Sequence, residues 1–126
     1  MLSHGRYKCQ FFTTEEFQKC VPSCYISDMK DDLLIRLDIA RHIYGSPITL
    51  TSAYRSSEWD KAKGRSGTGA HTKGLAVDIR CSNTRNRYLL LKALLFAGFF
   101  RIGIAKNFIH VDIDTSKPAG IWFYEE

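Results

Sequence analysis

"AHTKGLAVDIR" (residues 70–80) places an aspartate inside a strand-like apolar run, after a histidine and a glycine. Leu75, Val77 and Ile79 alternate with Ala76, Asp78 and Arg80, the period of a half-buried strand. A lone carboxylate buried in such a strand costs several kcal/mol unless something pairs with it. Either Asp78 faces water or it has a cationic partner. A second run, "FIHVDID" (residues 108–114), repeats the pattern: Ile109, Val111 and Ile113 point one way, and His110, Asp112 and Asp114 the other. Paired as neighbours with their apolar faces on helices, the two runs put Asp78 and His110 on one wall. His71, at the mouth of a glycine loop, can fold over it. Two imidazoles and a carboxylate are three N/O donors, a set that suits tetrahedral zinc with water in the fourth position. On spacing alone, a solvated polar sheet face remains open.

Outward from these runs, the chain reads as alternating periods without a regular βαβ repeat. Thr13, Thr14 and Glu16 open a short helix through Cys20, and Pro22 with Ser23 breaks it. Ser27 or Asp28 is expected to cap a helix over 29–44. Leu33, Leu34, Leu37 and Ala40 form its buried stripe, and Gly45 ends it. A strand follows from Ile48 to Tyr54, then a short helix over Glu58–Ala62 and a loop with Gly64, Gly67 and Gly69. Residues 83–97 predict a helix capped by Ser82 or Asn83, with Tyr88, Leu91, Leu94 and Leu95 on one face. Strands are expected at 74–80, 101–105, 108–114 and 121–124. The order implies one α+β domain over residues 1–126, a mainly antiparallel sheet with helices on one face.

Composition narrows the class. The 126 residues are 44% apolar and 25% charged, ordinary for a globular chain able to bury about two-thirds of its surface. No run reaches the roughly 18 apolar residues of a membrane span. The start, MLSHGRYKCQ, lacks an apolar signal region, so synthesis in the cytosol is expected. The +5 net charge favours anionic partners. Nucleic acid is disfavoured, because Lys61, Lys63 and Arg65 are the densest basic cluster. Cys9, Cys20, Cys24 and Cys81 are expected to stay reduced. Cys20 and Cys24 with Cys9 and His4 could hold a structural zinc, although small buried side chains are the plainer reading.

At "SAYRSSEWDKAKG" (52–64), "HTKGLAVD" (71–78) and "GFFRIGIAKNFIHVD" (98–112) the chain resembles the zinc D-alanyl-D-alanine carboxypeptidase family. That family shares its fold with the Hedgehog signalling domain and includes phage and bacterial murein endopeptidases. The resemblance runs from about Phe11 to the C-terminus. It implies Zn2+ held by His71, Asp78 and His110, and Arg55 holding a substrate oxygen. It also implies hydrolysis of a peptide bond of peptidoglycan. A monomer is expected, and the small size and the start without a signal region suit a phage endolysin that reaches the cell wall after release. Two positions depart from the family pattern. Gly69 stands where many members have serine, and Asn107 stands where many have the acid that takes the proton from water. Asp112, two residues after His110 on the same face, is the expected substitute base. Without a base, the chain would bind murein or a protein partner without cutting. Trp59 and Trp122 are candidates to line the peptide groove.

Overall fold

The computed structural model describes residues 6–125. α1 (Thr14–Gln18) opens where expected, with the Thr13 N–H donating to Glu16 Oε2 at 2.9 Å. α2 spans Asp31–Tyr44 and stops at Gly45, whose φ of +77° is open to glycine at little cost. Its start differs from the expected cap. Asp28 caps a separate 3₁₀ turn (Ile26–Asp28) by accepting the Tyr25 N–H at 2.8 Å. Met29 is then extended, and the Lys30 N–H is drawn off to Gly74 O at 3.0 Å. That tether delays α2 and ties its N-terminus to the turn that carries His71. Asp38, buried within α2, accepts from Tyr7 Oη, the Gln10 N–H and the Phe11 N–H. Three donors offset its desolvation and strap the N-terminal segment onto the helix.

The sheet has five strands: β1 (Leu50–Ser52), β2 (Ala76–Arg80), β3 (Arg101–Ile104), β4 (Phe108–Asp112) and β5 (Gly120–Phe123). Their order is β1-β2-β4-β3-β5. All pairings are antiparallel except β3 with β5. The fold is therefore α+β with a mainly antiparallel sheet, as its pattern implied. Val77, Ile79, Ile102, Ile109 and Val111 bury one face against Leu33, Leu34 and Leu37 of α2 and Leu90 and Leu94 of α4 (Thr84–Phe96). A short α3 (Ser57–Ala62) follows β1, with Ser56 Oγ accepting the Trp59 N–H as its cap.

Two expectations shift. α4 buries Leu90, Ala93 and Leu94, whereas Tyr88 and Leu95 are exposed. The run YLLLKALL is apolar on more than one side, so its period does not single out a face. β1 is shorter than Ile48–Tyr54, and its pairing with β2 slips between Leu50 and Ser52. After the slip the backbone turns away to serve the site: the Arg55 N–H donates to His71 O at 3.2 Å.

Candidate metal centre

Register brings the first two donors together. Asp78 of β2 and His110 of β4 are direct partners across the central antiparallel pair. His71 arrives on a one-turn 3₁₀ segment, Ala70–Lys73, that ends at Gly74 with φ +71°. A Cβ on Gly74 would lie 2.4 Å from Asp28 O, so only glycine lets the turn sit this close to the segment that leads into α2. Asp78 Oδ1 is 3.3 Å from His71 Nε2 and 3.0 Å from His110 Nδ1, and the ring centroids are 5.2 Å apart. Each of the three residues offers a ligand atom within 4.8 Å of the others. Sequence pattern placed these three on one wall, and the fold does bring them together.

The outward nitrogens determine what the cluster can hold. His71 Nδ1 is 2.6 Å from Ala53 O, and His110 Nε2 is 2.7 Å from Asp112 Oδ2. Both of those oxygens only accept, so each outward nitrogen carries the proton. The neutral rings then turn lone pairs toward Asp78, and three acceptors converge with no donor among them. Such an arrangement needs a cation or protonated rings. Burial alone would raise the Asp78 carboxyl, but its bonds to His110 and His71 hold it below the usual carboxylate range. Burial would lower His110, but its bonds to Asp112 and Asp78 raise it. Two imidazoles, one carboxylate and an acceptor behind each imidazole fit zinc in both donor set and outer support.

Asp112 is 1% exposed. Its Oδ1 accepts from Arg101 Nε at 2.9 Å and from the Asp114 N–H at 3.0 Å, and its Oδ2 faces His110. Both oxygens are thus engaged, away from the open position expected of a proton acceptor. Asn107 is exposed in the β3–β4 turn and faces a separate cleft with Thr51, Arg80 and Ser82.

Arg55 lines the same cavity of about 340 Å³ as the three donors, together with Trp122 and Tyr124. Asp60, on α3, lies 3.2 Å from Arg55 Nε and 3.6 Å from Arg65 Nη1. Burial lowers the Arg55 pKa and Asp60 opposes that, so the guanidinium keeps its charge at neutral pH. Trp59 stands apart from the cavity, with Lys63 Nζ 5.2 Å from its ring centroid. Ser66 lines the cavity, hydrogen-bonded to Thr68 at 2.8 Å. Sequence reasoning passes over Ala53, Asp60 and Tyr124. Only Asp60 leaves a signal, an acid five residues after a basic residue at a helix start.

The four cysteines are free thiols, and burial pushes Cys9 and Cys20 up to about 12. His4 lies outside the described residues. Among the described residues, His71, Asp78 and His110 form the one group of this kind. No described helix is long and apolar enough to cross a membrane.

A family model described as Peptidase M15 matches residues 10–112. A search of curated proteins finds no significant match. The chain belongs to the peptidase M15 family, the zinc D-Ala-D-Ala carboxypeptidase family, and is a metallopeptidase whose cofactor is zinc.

Proposed function

We propose that this metallopeptidase cleaves a peptide bond in bacterial cell-wall peptidoglycan, with zinc held by His71 Nε2, Asp78 and His110 Nδ1. The observation that carries the reading is the pairing of this donor trio with the Asp60-anchored Arg55 in one small cavity. At about 340 Å³ the cavity is near the lower end for ligand sites, which suits a short peptide stub. Arg55, Arg65 and Lys117 favour a peptide that carries free carboxylates, as murein stems do. When bound, zinc supplies Lewis acidity toward the scissile carbonyl and lowers the pKa of water toward 7. Ala53 O and Asp112 keep the two rings turned inward. The remaining donors of Arg55 bind the carbonyl oxygen as it gains negative charge, or a substrate carboxylate. Asp112 is assigned to orienting His110, in place of the base role its spacing implied. Delivery to the wall as a released phage lysis enzyme, acting as a monomer, fits the same reading.

One observation favours a second reading, binding without cleavage. The cavity acids Asp60, Asp78 and Asp112 are all engaged, so no free carboxylate stands ready to take a proton. Mass spectrometry of purified murein incubated with the protein, with and without a chelator, decides between them. New peptide termini that vanish with chelator establish cleavage. Intact murein that co-sediments with zinc-loaded protein establishes binding alone.

A further inference from the structure

Besides the metal ligands, the cavity is lined by hydrogen-bond donors that are engaged to different degrees. Each arginine and lysine among them already faces an acid. Arg55 and Arg65 face Asp60, Arg101 faces Asp112 at 2.9 Å, and Lys117 faces Asp114 at 3.8 Å. The Ser66 hydroxyl is bonded to that of Thr68 at 2.8 Å. Two polar rings are left, Trp122 in β5 and Tyr124 just after it. Gly103 of β3 gives them room, because it pairs with His110 on one side and with Trp122 on the other. A Cβ on Gly103 would lie 2.6 Å from Trp122 Nε1 and 2.6 Å from Tyr124 Cε2, so the missing side chain lets both rings approach the sheet beside His110. The Tyr124 N–H donates to Ile104 O at 2.9 Å, and its ring packs on Phe108 with centroids 5.3 Å apart. Tyr124 is still 39% exposed, open to a ligand in the cavity.

The two rings have different hydrogen-bonding capacity. An indole nitrogen only donates, whereas a phenol oxygen both donates and accepts. The Trp122 N–H bonds to the phenol oxygen of Tyr124, which leaves the phenol proton to be donated elsewhere. Burial raises the Tyr124 pKa, the Trp122 N–H opposes that, Asp78 and Asp112 push it further up, and Arg55 draws it down. The phenol oxygen thus stands within reach of the charges of the site and keeps its proton at neutral pH.

We infer that Tyr124 is a catalytic residue: alongside Arg55, its O–H donates a hydrogen bond to the scissile carbonyl oxygen, and this bond strengthens as that oxygen gains negative charge. The inference rests on the peptidase reading above. Arg55 shares its charge with Asp60, so it meets that oxygen as a partly compensated donor. A carbonyl oxygen that turns tetrahedral has lone pairs for more than one donor. The Tyr124 phenol is neutral and has no acid to give up, so its contribution is small in the ground state and grows with the charge on the oxygen. No proton leaves Tyr124 in this step.

Tyr124→Phe removes the O–H and keeps the ring on Phe108. In the zinc-loaded full chain it should lower kcat about 10²-fold, the scale of one lost donor to a developing oxyanion. KM should stay within about threefold, because the bond gains its strength in the transition state. Trp122→Phe, which removes only the N–H behind the phenol, should give a smaller loss of the same kind. A binding readout is independent of turnover. A phosphinate peptide carries tetrahedral anionic oxygens where the attacked carbonyl would be. Its affinity, measured by calorimetry, should fall in Tyr124→Phe by about the factor lost from kcat/KM, at unchanged zinc content. Equal phosphinate affinity in parent and Tyr124→Phe at full zinc, or a loss confined to KM, overturns the inference. If the parent leaves murein fragments intact but cuts unrelated peptides in a Tyr124-dependent way, the cell-wall reading fails and the role of Tyr124 stands. If the parent and Tyr124→Phe cut murein equally well, the cell-wall reading stands and Tyr124 has no part in the chemistry.

Discussion

The two imidazoles that face Asp78 are held in different ways. His110 sits mid-strand in β4, with β2 and β3 paired on either side, and a side chain two residues on, Asp112, fixes its ring. His71 sits in a single 3₁₀ turn, and backbone fixes it: Ala53 O behind the ring, Arg55 N–H on its carbonyl, and Lys30 N–H on Gly74 O. A strand ligand inherits its direction from the pleat and needs only one added contact. A turn ligand has no such frame, so the surrounding main chain has to supply one. The difference decides what mutation can reach. The group behind the His110 ring can be removed by changing a side chain, whereas the one behind the His71 ring is a main-chain oxygen that moves only with the backbone.

The largest effect should ignore this difference. His71→Ala and His110→Ala each remove one of three donors, and either should reduce bound zinc from about one per chain to a small fraction. Both should also lose the thermal stabilisation that metal gives by mass action. Full zinc by elemental analysis in either variant would falsify the ligand set.

Asp112→Asn should separate the two histidines. An outer carboxylate behind a ligand histidine typically contributes 10- to 100-fold in metal affinity. We expect that loss in a competitive chelator titration, with activity recovered at high zinc. If affinity is unchanged and kcat falls by about 10² or more, Asp112 is the proton acceptor its spacing first implied.

Gly74→Ala is the counterpart on the His71 side. Its φ of +71° and the 2.4 Å approach to Asp28 O make any side chain strained there. A cost of about 1–3 kcal/mol in denaturant stability is expected. Zinc affinity should fall with it, because the turn and the ring move together. A variant as stable as the parent would mean that the turn is not fixed by this contact.

Asp114 clamps the same turn from the far side through Lys73 Nζ at 3.1 Å. Burial would raise its pKa, but the bonds from Ser116 and Lys73 bring it down to about 2. Because the folded value lies below the unfolded one, about 3.9, this stability is present above that pH and is lost as pH falls through about 2. Asp114→Asn should therefore cost about 1 kcal/mol at pH 7, limited by the water around half-exposed Lys73. The Tm difference from the parent should shrink steadily below pH 4. A gap that stays constant down to pH 2 would remove the charge from the account.

The strands and the trio were legible because burial of Val77, Ile79, Ile109 and Val111 imposes a period of two, and that period throws Asp78 and His110 to the same face. α2 was legible from its stripe but not from its start, since the Lys30–Gly74 tether is a tertiary contact. The face of α4 was hidden by consecutive leucines. Ala53 could not be found from its identity at all: its role belongs to a carbonyl that every residue has, exposed by a strand slip that no pattern marks. The H-x-D spacing of His110 and Asp112 was visible, but spacing alone does not separate a carboxylate that takes a proton from one that orients the ring.

The smallest effect concerns Asn107, and it tests how far family spacing can be trusted over geometry. Spacing puts this residue where relatives carry the acid that takes a proton. The fold puts it in the β3–β4 turn, exposed, on a cleft shared with Thr51, Arg80 and Ser82, while its main-chain oxygen accepts the Cys81 N–H. A carboxylate there would be solvated and would not face the cavity of His71, Asp78 and His110. Asn107→Asp should therefore leave zinc content unchanged and kcat/KM within about twofold, well below the 10²-fold scale of a general base. It is the counterweight to Asp112→Asn: one residue has the expected spacing without the contact, the other has the contact without the expected spacing. A tenfold or larger gain in murein cleavage by Asn107→Asp would show that the turn can fold over the cavity during turnover. The missing acid would then be the reason the parent is slow.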